Sequence, residues 1–540
     1  MNALAVLYGG DLRPQAHEKI FPGGKSAFGL ALEQVRLFPG WKKTLVLGRE
    51  GDSSLTALEM PPGAELALRA RWTRRELLET VSRFSQGFEL SYFAWADCPF
   101  LDPELTGAIA ERHLRYKAEY SYADGWPYGF APELLAPGVS GILAKIEGEG
   151  ENPVERDSLF AVLQKDINSF DIETEISPVD LRSHRLRLAA DSRRNLLLLS
   201  RFSAEAAAGG VPAAKEAAEI IGKKPEILRT LPVFYPVQAA RPCPQSCAFC
   251  PYPPLRGPEG GEDFLDPGKF EGLLDRIIAF SADGVIDLSL WGELSLHPRR
   301  MELIRLVLER PQLALVIETS GVGWREGDLE EAAALAAVSP RQGREFPPLS
   351  WIVSLDSADG ARYREIRGPG FAEASSCAKK LLGLFPESAY IQAVRTSGAE
   401  DDIEKFYRFW KETAPRGNGS VIIQKYDDFC GALEKRQASD ISPVERQSCW
   451  HIMRDLPVLL NGVVPLCREE LSALKGEGRI LGNVYEDSLE TIWTRGEKYY
   501  AGHCRVSWQD KTAGQAAVDS ERPVYPGICA ECDEYYTFNF

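Results

Sequence analysis

Six short apolar runs alternate with stretches of helical periodicity between residues 231 and 430, and this alternation restricts the fold more than any other feature of the chain. The runs are VFYPVQA (233–239), VIDLSLWG (285–292), LALVIETSG (313–321), SWIVSLDS (350–357), AYIQAVRT (389–396) and SVIIQKYDDF (420–429). Amphipathic segments separate them at about 267–281, 298–310, 328–338, 371–385 and 401–414. Buried strands joined by helices imply a parallel sheet with crossover connections. Six strand–helix repeats predict a partial (β/α)6 barrel. In that fold, chemistry collects at the C-terminal ends of the strands.

The flanks read differently. ALAVLYGG near the start, KTLVLG (43–48) and ELSYFAWAD (89–97) look like buried strands separated by helices, which predicts a parallel-sheet α/β domain over 1–205. The Ala-rich, Gly/Pro-broken stretch 203–220 reads as helical linker, so 206–230 joins the first domain to the barrel at 231–440. From 441 to 540 the alternation is lost and cysteines accumulate, as in a small loop-rich module.

With 78 acidic and 62 basic residues the formal charge is −16, which disfavours a nucleic-acid partner. The start, MNALAVLYGGDLRP, lacks the basic region of a signal peptide. No apolar run is long enough to span a bilayer, so no membrane association is expected. The expected location is the cytoplasm. Eleven cysteines in such a chain point to metal binding or catalysis rather than disulfides.

Three of them crowd into RPCPQSCAFC (241–250), just after the first barrel strand. Cys243, Cys247 and Cys250 have the spacing C-x3-C-x2-C. Three thiolates on one loop can hold three corners of a 4Fe–4S cube and leave one iron open. A zinc loop is the alternative, but structural zinc favours two separated cysteine pairs. The loop resembles the signature of the radical SAM superfamily over about residues 231–430. The resemblance implies that the cluster binds S-adenosylmethionine (SAM), with the backbone of Phe249 meeting the adenine. WGELSLHP (291–298) resembles the superfamily's GGEP segment, which contacts the SAM amino group. Gly292 and Glu293 match it; Trp291 and Leu294 depart. By the same resemblance Thr319 and Ser320 in ETSG, and Ser354 and Asp356 in SLDS, are candidates for the carboxylate or ribose side of SAM or for substrate.

A second set reads C-x12-G-x4-C from Cys449 through Gly462 to Cys467, followed by C-x2-C at Cys529 and Cys532. Glycine permits a tight hairpin turn that brings two strand-borne thiolates together. Four thiolates complete a closed 4Fe–4S cluster or, equally, a zinc site. The pattern resembles the SPASM/twitch extension of radical SAM enzymes; with one C-x5-C-x3-C element missing it fits the shorter twitch form, which carries one auxiliary cluster. LGNVYEDSLETIWTRGEKY (481–499) resembles the segment between the two cysteine groups.

Cys98, Cys377, Cys430 and Cys504 remain. Cys377 reads as core, whereas Cys430 and Cys504 are candidate substitute ligands. The catalytic hydrogen acceptor is unknown. In peptide-modifying SPASM enzymes an aspartate can follow the G-x4-C cysteine, but Arg468 stands there. Glu469 and Glu470 read as surface carboxylates, and His297 and His451 are candidates by neighbourhood.

AVLYGGDLRP (5–14) and WADCPFLDPEL (95–105) resemble nucleotidyltransferase-like folds, as does PVDLRSHRLRLAADSRRNLLLL (178–199). In those enzymes the aspartate matching Asp97, beside Pro99, holds the metal. The glycine loop offers Gly9, Gly10 and Arg13, with Lys19 or Lys25 for the usual lysine. A nucleotidyltransferase-like domain ahead of a radical SAM–twitch half resembles the spiro-SPASM protein family. The resemblance implies a radical SAM enzyme acting on a peptide, a protein or a small molecule, reduced by a flavodoxin- or ferredoxin-like donor. Two other readings stay open: a nucleotidyltransferase dependent on Asp97 with accessory clusters, and a non-catalytic iron–sulfur electron-transfer protein.

Overall fold

Strand β1, Ala3–Gly9, is buried at every position, as a run of Ala, Leu, Val and Tyr demands when both faces are covered. In a computed structural model, which describes residues 1–52, 55, 60–207, 210–256, 263–341, 346–438, 448–512, 527–530, 532 and 534, the chain divides into two units, Met1–Thr230 and Leu231–Phe540. The first holds a seven-stranded sheet. Its other strands are β2 (Trp41–Arg49), β3 (Ala64–Arg69), β4 (Leu90–Trp95), β5 (Tyr120–Asp124), β6 (Glu133–Leu135) and β7 (Ile172–Ile176), in the order β3-β2-β1-β4-β6-β5-β7.

The sheet is mixed rather than all parallel: β6 runs antiparallel to β4 and to β5. The chain between Asp124 and Glu133 is shorter than the roughly dozen residues a parallel crossover needs. The stretch read as linker packs onto this unit. A helix at Ala217–Lys223 buries Ala217, Ile220 and Ile221, and Asp102 accepts the Ala214 N–H at 2.6 Å.

The second unit carries six strands: β8 (Phe234–Pro236), β9 (Gly284–Asp287), β10 (Leu313–Thr319), β11 (Leu349–Ser354), β12 (Ala389–Arg395) and β13 (Val421–Lys425). They lie in sequence order across the sheet, and every neighbouring pair is parallel. This is the half-barrel that the alternation predicts. Registry assigns the two faces. Ile286, Leu315, Ile317, Trp351, Val353 and Ile391 fall on the face covered by the crossover helices and are fully buried. Asp287, Glu318, Ser354 and Gln392 fall on the opposite, inner face.

The third sheet pairs β14 (Val463–Pro465) antiparallel with β15 (Ile480–Asn483). Gly462, at φ 82°, closes the turn before β14, and its N–H bonds to Leu459 O at 2.8 Å. Neither thiol of the pair is strand-borne, contrary to the hairpin reading. Cys449 is the N-cap of the helix Trp450–Arg454, and Cys467 follows the end of β14. The segment after that helix runs along the outer edge of β8. Leu456 N–H bonds Phe234 O at 2.9 Å, and Val458 N–H bonds Pro236 O at 2.7 Å. Main-chain pairing thus fixes the cysteine module to the half-barrel within this unit. Among the described residues no helix is long and apolar enough to cross a membrane.

Candidate active site

Strand β9 stops at Asp287, short of the apolar run that suggested it, because the chain turns at Trp291 (φ 51°) and Gly292 (φ 81°). A Cβ at Gly292 would stand 1.8 Å from the carbonyl oxygen of Ala240, so only glycine fits where this turn crosses the strand leading to the cysteine loop. Trp291 takes the left-handed conformation without that freedom. Its ring stacks on Tyr252 at 5.7 Å and meets Phe429 at 5.6 Å.

The turn delivers Glu293 to the end of β10, buried. Its carboxylate accepts from Thr319 Oγ1 at 2.7 Å and from the Ser320 N–H at 2.8 Å. Glu293, Thr319 and Ser320, three of the sequence candidates, therefore form one constellation.

The cysteine loop closes over it. Cys243 lies within electrostatic reach of Glu293, Cys247 and Cys250. Burial pushes the Cys243 thiol up to about 12 and Cys250 up to about 11, and raises Cys247. A metal taken up by these thiols would therefore have to displace protons, as thiolate ligation requires. The loop is strapped to the helix Gly360–Arg367, which the sequence reading lacked: Ser246 N–H bonds Arg367 O at 3.1 Å and Ala248 N–H bonds Ile366 O at 2.8 Å. Arg367 is buried, lies over the Phe249 ring at 5.8 Å and opposes the rise of the Cys247 pKa. Its partner is Asp356, which sits at φ 61° and accepts the Val394 N–H at 2.6 Å. Asp356 thus works through Arg367.

Ser354 faces the interior instead. Its hydroxyl donates to Glu318 at 2.9 Å, and Gln392 donates to the same oxygen at 2.7 Å. Burial, with the charge of Glu318, raises Asp287 to about 7. Asp287, Glu318, Gln392 and Arg367 escaped sequence reasoning. The registry of β9 to β12 was the signal that could have found the first three, and YREIRG contained the fourth.

In the C-terminal module burial, and after it the nearby Cys529 and Cys532, raise the thiols of Cys449 and Cys467. The Cys532 thiol, followed by burial, pushes the thiol of Cys430, after β13, up. Glu469 and Glu470 are buried, not on the surface, because each pairs with a half-buried arginine. Arg468 donates to Glu469 at 2.9 Å and Glu534 at 3.0 Å, and Arg479 donates to Glu470 at 2.7 Å. His451 pairs with Asp455 at 2.6 Å; this carboxylate overcomes the opposing effect of burial and lifts it to about 9. His297 bonds Leu265 O at 2.9 Å, a structural role. Cys98, Cys377 and Cys504 are buried.

Both donor sets fit iron–sulfur chemistry: three thiols on one loop for a cube with an open corner, and a cysteine-only set for a closed one. Among the described residues no group of three or more His, Cys, Asp or Glu is already arranged to hold a single metal ion.

In the first unit Asp97 is gripped by Arg156 through two hydrogen bonds of 2.6 and 3.1 Å. Arg156 also donates to Asp191 at 3.1 Å and lies over the rings of Trp95 and Tyr128 at 4.5 and 5.3 Å. A guanidinium thus occupies Asp97, the carboxylate that the resemblance assigns to a metal. Lys25 pairs with Glu33 at 2.6 Å.

Comparison with known proteins agrees with this layout. Residues 449–533 match the SPASM family, an iron–sulfur cluster-binding domain. An uncharacterized protein of Treponema pallidum (strain Nichols) is 34% identical over 394 residues, 71% of this chain and 98% of that one. The chain belongs to the family of this treponemal protein. The match over residues 449–533 is the SPASM-type extension that the C-terminal cysteine pattern led us to expect. Solved structures with similarity include SuiB of Streptococcus suis bound to S-adenosylmethionine, 15% identical with a TM-score of 0.36, covering 52% of this chain and 70% of that one. A cytidylyltransferase from Leptospira borgpetersenii is 16% identical with a TM-score of 0.35, covering 42% of this chain and 95% of that one. At these scores they add no argument.

Proposed function

We propose that this chain is a radical SAM enzyme. The observation that carries the reading is the gathering of Cys243, Cys247 and Cys250 beside Glu293, Thr319 and Ser320 at the mouth of a half-barrel. Cys243, Cys247 and Cys250 would hold a 4Fe–4S cluster with one open iron, which when reduced and bound to SAM would supply one-electron cleavage of SAM to methionine and a 5′-deoxyadenosyl radical for abstraction of hydrogen from a C–H bond. Glu293 keeps the turn at Gly292 pressed against the end of β10, where the amino group of SAM is received, and Arg367 holds the cysteine loop. Asp287, Glu318, Ser354 and Gln392 present polar atoms to a substrate inside the half-barrel. This favours a peptide side chain or a small molecule with amino or hydroxyl groups.

Cys449, Cys467, Cys529 and Cys532 would hold an auxiliary 4Fe–4S cluster of the twitch type, which would supply an electron acceptor for the product radical or an anchor for substrate. A flavodoxin- or ferredoxin-like protein in the cytoplasm is the expected reductant. Nucleotide transfer by the first unit is disfavoured by the Arg156 clamp on Asp97, which a metal would have to displace. Anaerobic reconstitution followed by dithionite and SAM tests the proposal: 5′-deoxyadenosine should form, and should vanish when the three loop cysteines become alanine. Pyrophosphate release from nucleotide and sugar substrates would instead favour the transferase.

A further inference from the structure

In the first unit two carboxylates from distant parts of the chain meet on one guanidinium. Asp97 follows β4, and Asp191 stands just before the helix Arg193–Glu205. Arg156 lies between them. Its Nη2 donates to Asp97 Oδ2 at 2.6 Å and to Asp191 Oδ2 at 3.1 Å. Its Nη1 donates to Asp97 Oδ1 at 3.1 Å and to the Tyr128 hydroxyl at 3.3 Å. Two carboxylates that share a site repel unless a cation sits between them.

The nucleotidyltransferase-like resemblance gives that place to a metal, and the residues here do not fit one. Every carboxylate oxygen of the pair is engaged: Arg156 takes three, and Asn195 donates to Asp191 Oδ1 at 2.7 Å. The guanidinium fork matches the Asp97 carboxylate bidentately. Charge is balanced as well, since Arg187 approaches Asp191 at 3.5 Å and two guanidinium groups then face two carboxylates. Aromatic rings complete the enclosure. Arg156 lies over Trp95 at 4.5 Å and Tyr128 at 5.3 Å, and Trp95 meets Tyr8 edge-on at 4.8 Å.

The segment that carries Arg156 is tied down on both sides. Before it, the Arg74 N–H bonds Asn152 O at 2.9 Å, and the Arg74 side chain donates to Pro153 O at 3.0 Å and to Glu155 at 2.6 Å. After it, Ser158 Oγ accepts the Glu155 N–H at 2.7 Å at the start of the helix Ser158–Leu163. Arg156 is thus a fixed cation and not a swinging lid.

We propose that Arg156 is the resident cation of this pocket in place of a divalent metal ion: it keeps Asp97 and Asp191 together and closes the first unit to metal and to any phosphate ligand that a metal would carry. The carboxylate pair becomes a metal site only when the guanidinium is taken away. The inference concerns the first unit alone and stands whether or not the cysteine loop carries a cluster.

The test uses the full-length chain and two probes: Mg2+ in thermal melts, and Tb3+ luminescence excited through indole, with Trp95 beside the pocket. The first-unit transition of the parent should not move with millimolar Mg2+. Arg156→Gln should melt lower, regain temperature as Mg2+ rises, and acquire a saturable Tb3+ signal. Adding Asp97→Asn to that variant should remove both gains, and Arg156→Lys, which keeps the charge, should show neither. If Arg156→Gln is unfolded without metal, circular dichroism on adding Mg2+ asks the same question: refolding is expected, and its absence would overturn the proposal. A folded Arg156→Gln that takes up neither ion would overturn it too. So would Mg2+ stabilisation or a Tb3+ signal in the parent that Asp97→Asn abolishes, because metal would then displace the guanidinium.

Discussion

Trp291 stands where the radical SAM pattern has a glycine, and it adopts the left-handed conformation that a glycine would supply. An L-residue there costs about 1–2 kcal/mol. Stacking on Tyr252 and contact with Phe429 offset that cost, since aromatic pairs contribute roughly 0.5–1.5 kcal/mol each beyond area burial. The neighbour of Trp291 has no such latitude. Gly292→Ala places a Cβ against Ala240 O in addition to the φ penalty. Differential scanning calorimetry should show a destabilisation of at least about 1–3 kcal/mol, with less iron bound at the first cysteine loop. At this scale the cysteines and Glu293 were legible in the sequence because their spacing is local. Glu318, Gln392 and Arg367 were not, since only strand registry and a helix–loop contact bring them to the site. Glu469 and Glu470 misled because charged residues default to the surface, and their half-buried arginine partners Arg468 and Arg479 were invisible to spacing.

The half-barrel strands were readable as apolar runs, and the crossover helices as amphipathic segments. The helix Gly360–Arg367 was not, because its eight residues carry too little apolar periodicity to register. It is nevertheless the element that fixes the cysteine loop. Arg367→Gln leaves Asp356 buried without its ionic partner, so about 3–5 kcal/mol of stability should be lost in denaturant titration. Strand β9 ends in a second testable group. Asp287 has a folded-state pKa of about 7, above its ordinary 3.8, with burial the main cause. The folded chain therefore binds this proton more tightly than the unfolded chain does. The contribution is fully present below the ordinary value and is lost as pH rises through about 7. Melting temperatures measured from pH 5 to 8 should fall less for Asp287→Asn than for the parent, by about the contribution of this one group.

Two units, each with its own sheet, were visible as a change in pattern near residue 230, although the mixed character of the first sheet was hidden in a three-residue strand. In the first unit the Arg156 clamp predicts that metal-dependent transfer has given way to structure. Arg156→Ala should lower that unit's melting transition by leaving Asp97 and Asp191 unpaired, and neither form should release pyrophosphate. In the second unit, main-chain pairing along β8 holds the cysteine module to the half-barrel. The most direct measurement is a paired count of iron and of 5′-deoxyadenosine on the anaerobically reconstituted, dithionite-reduced chain with SAM, beside the Cys243/Cys247/Cys250→Ala variant. The account predicts about eight irons per chain falling to about four, with 5′-deoxyadenosine formed only by the parent. Full iron loading without any 5′-deoxyadenosine, candidate peptide and small-molecule substrates included, would contradict it.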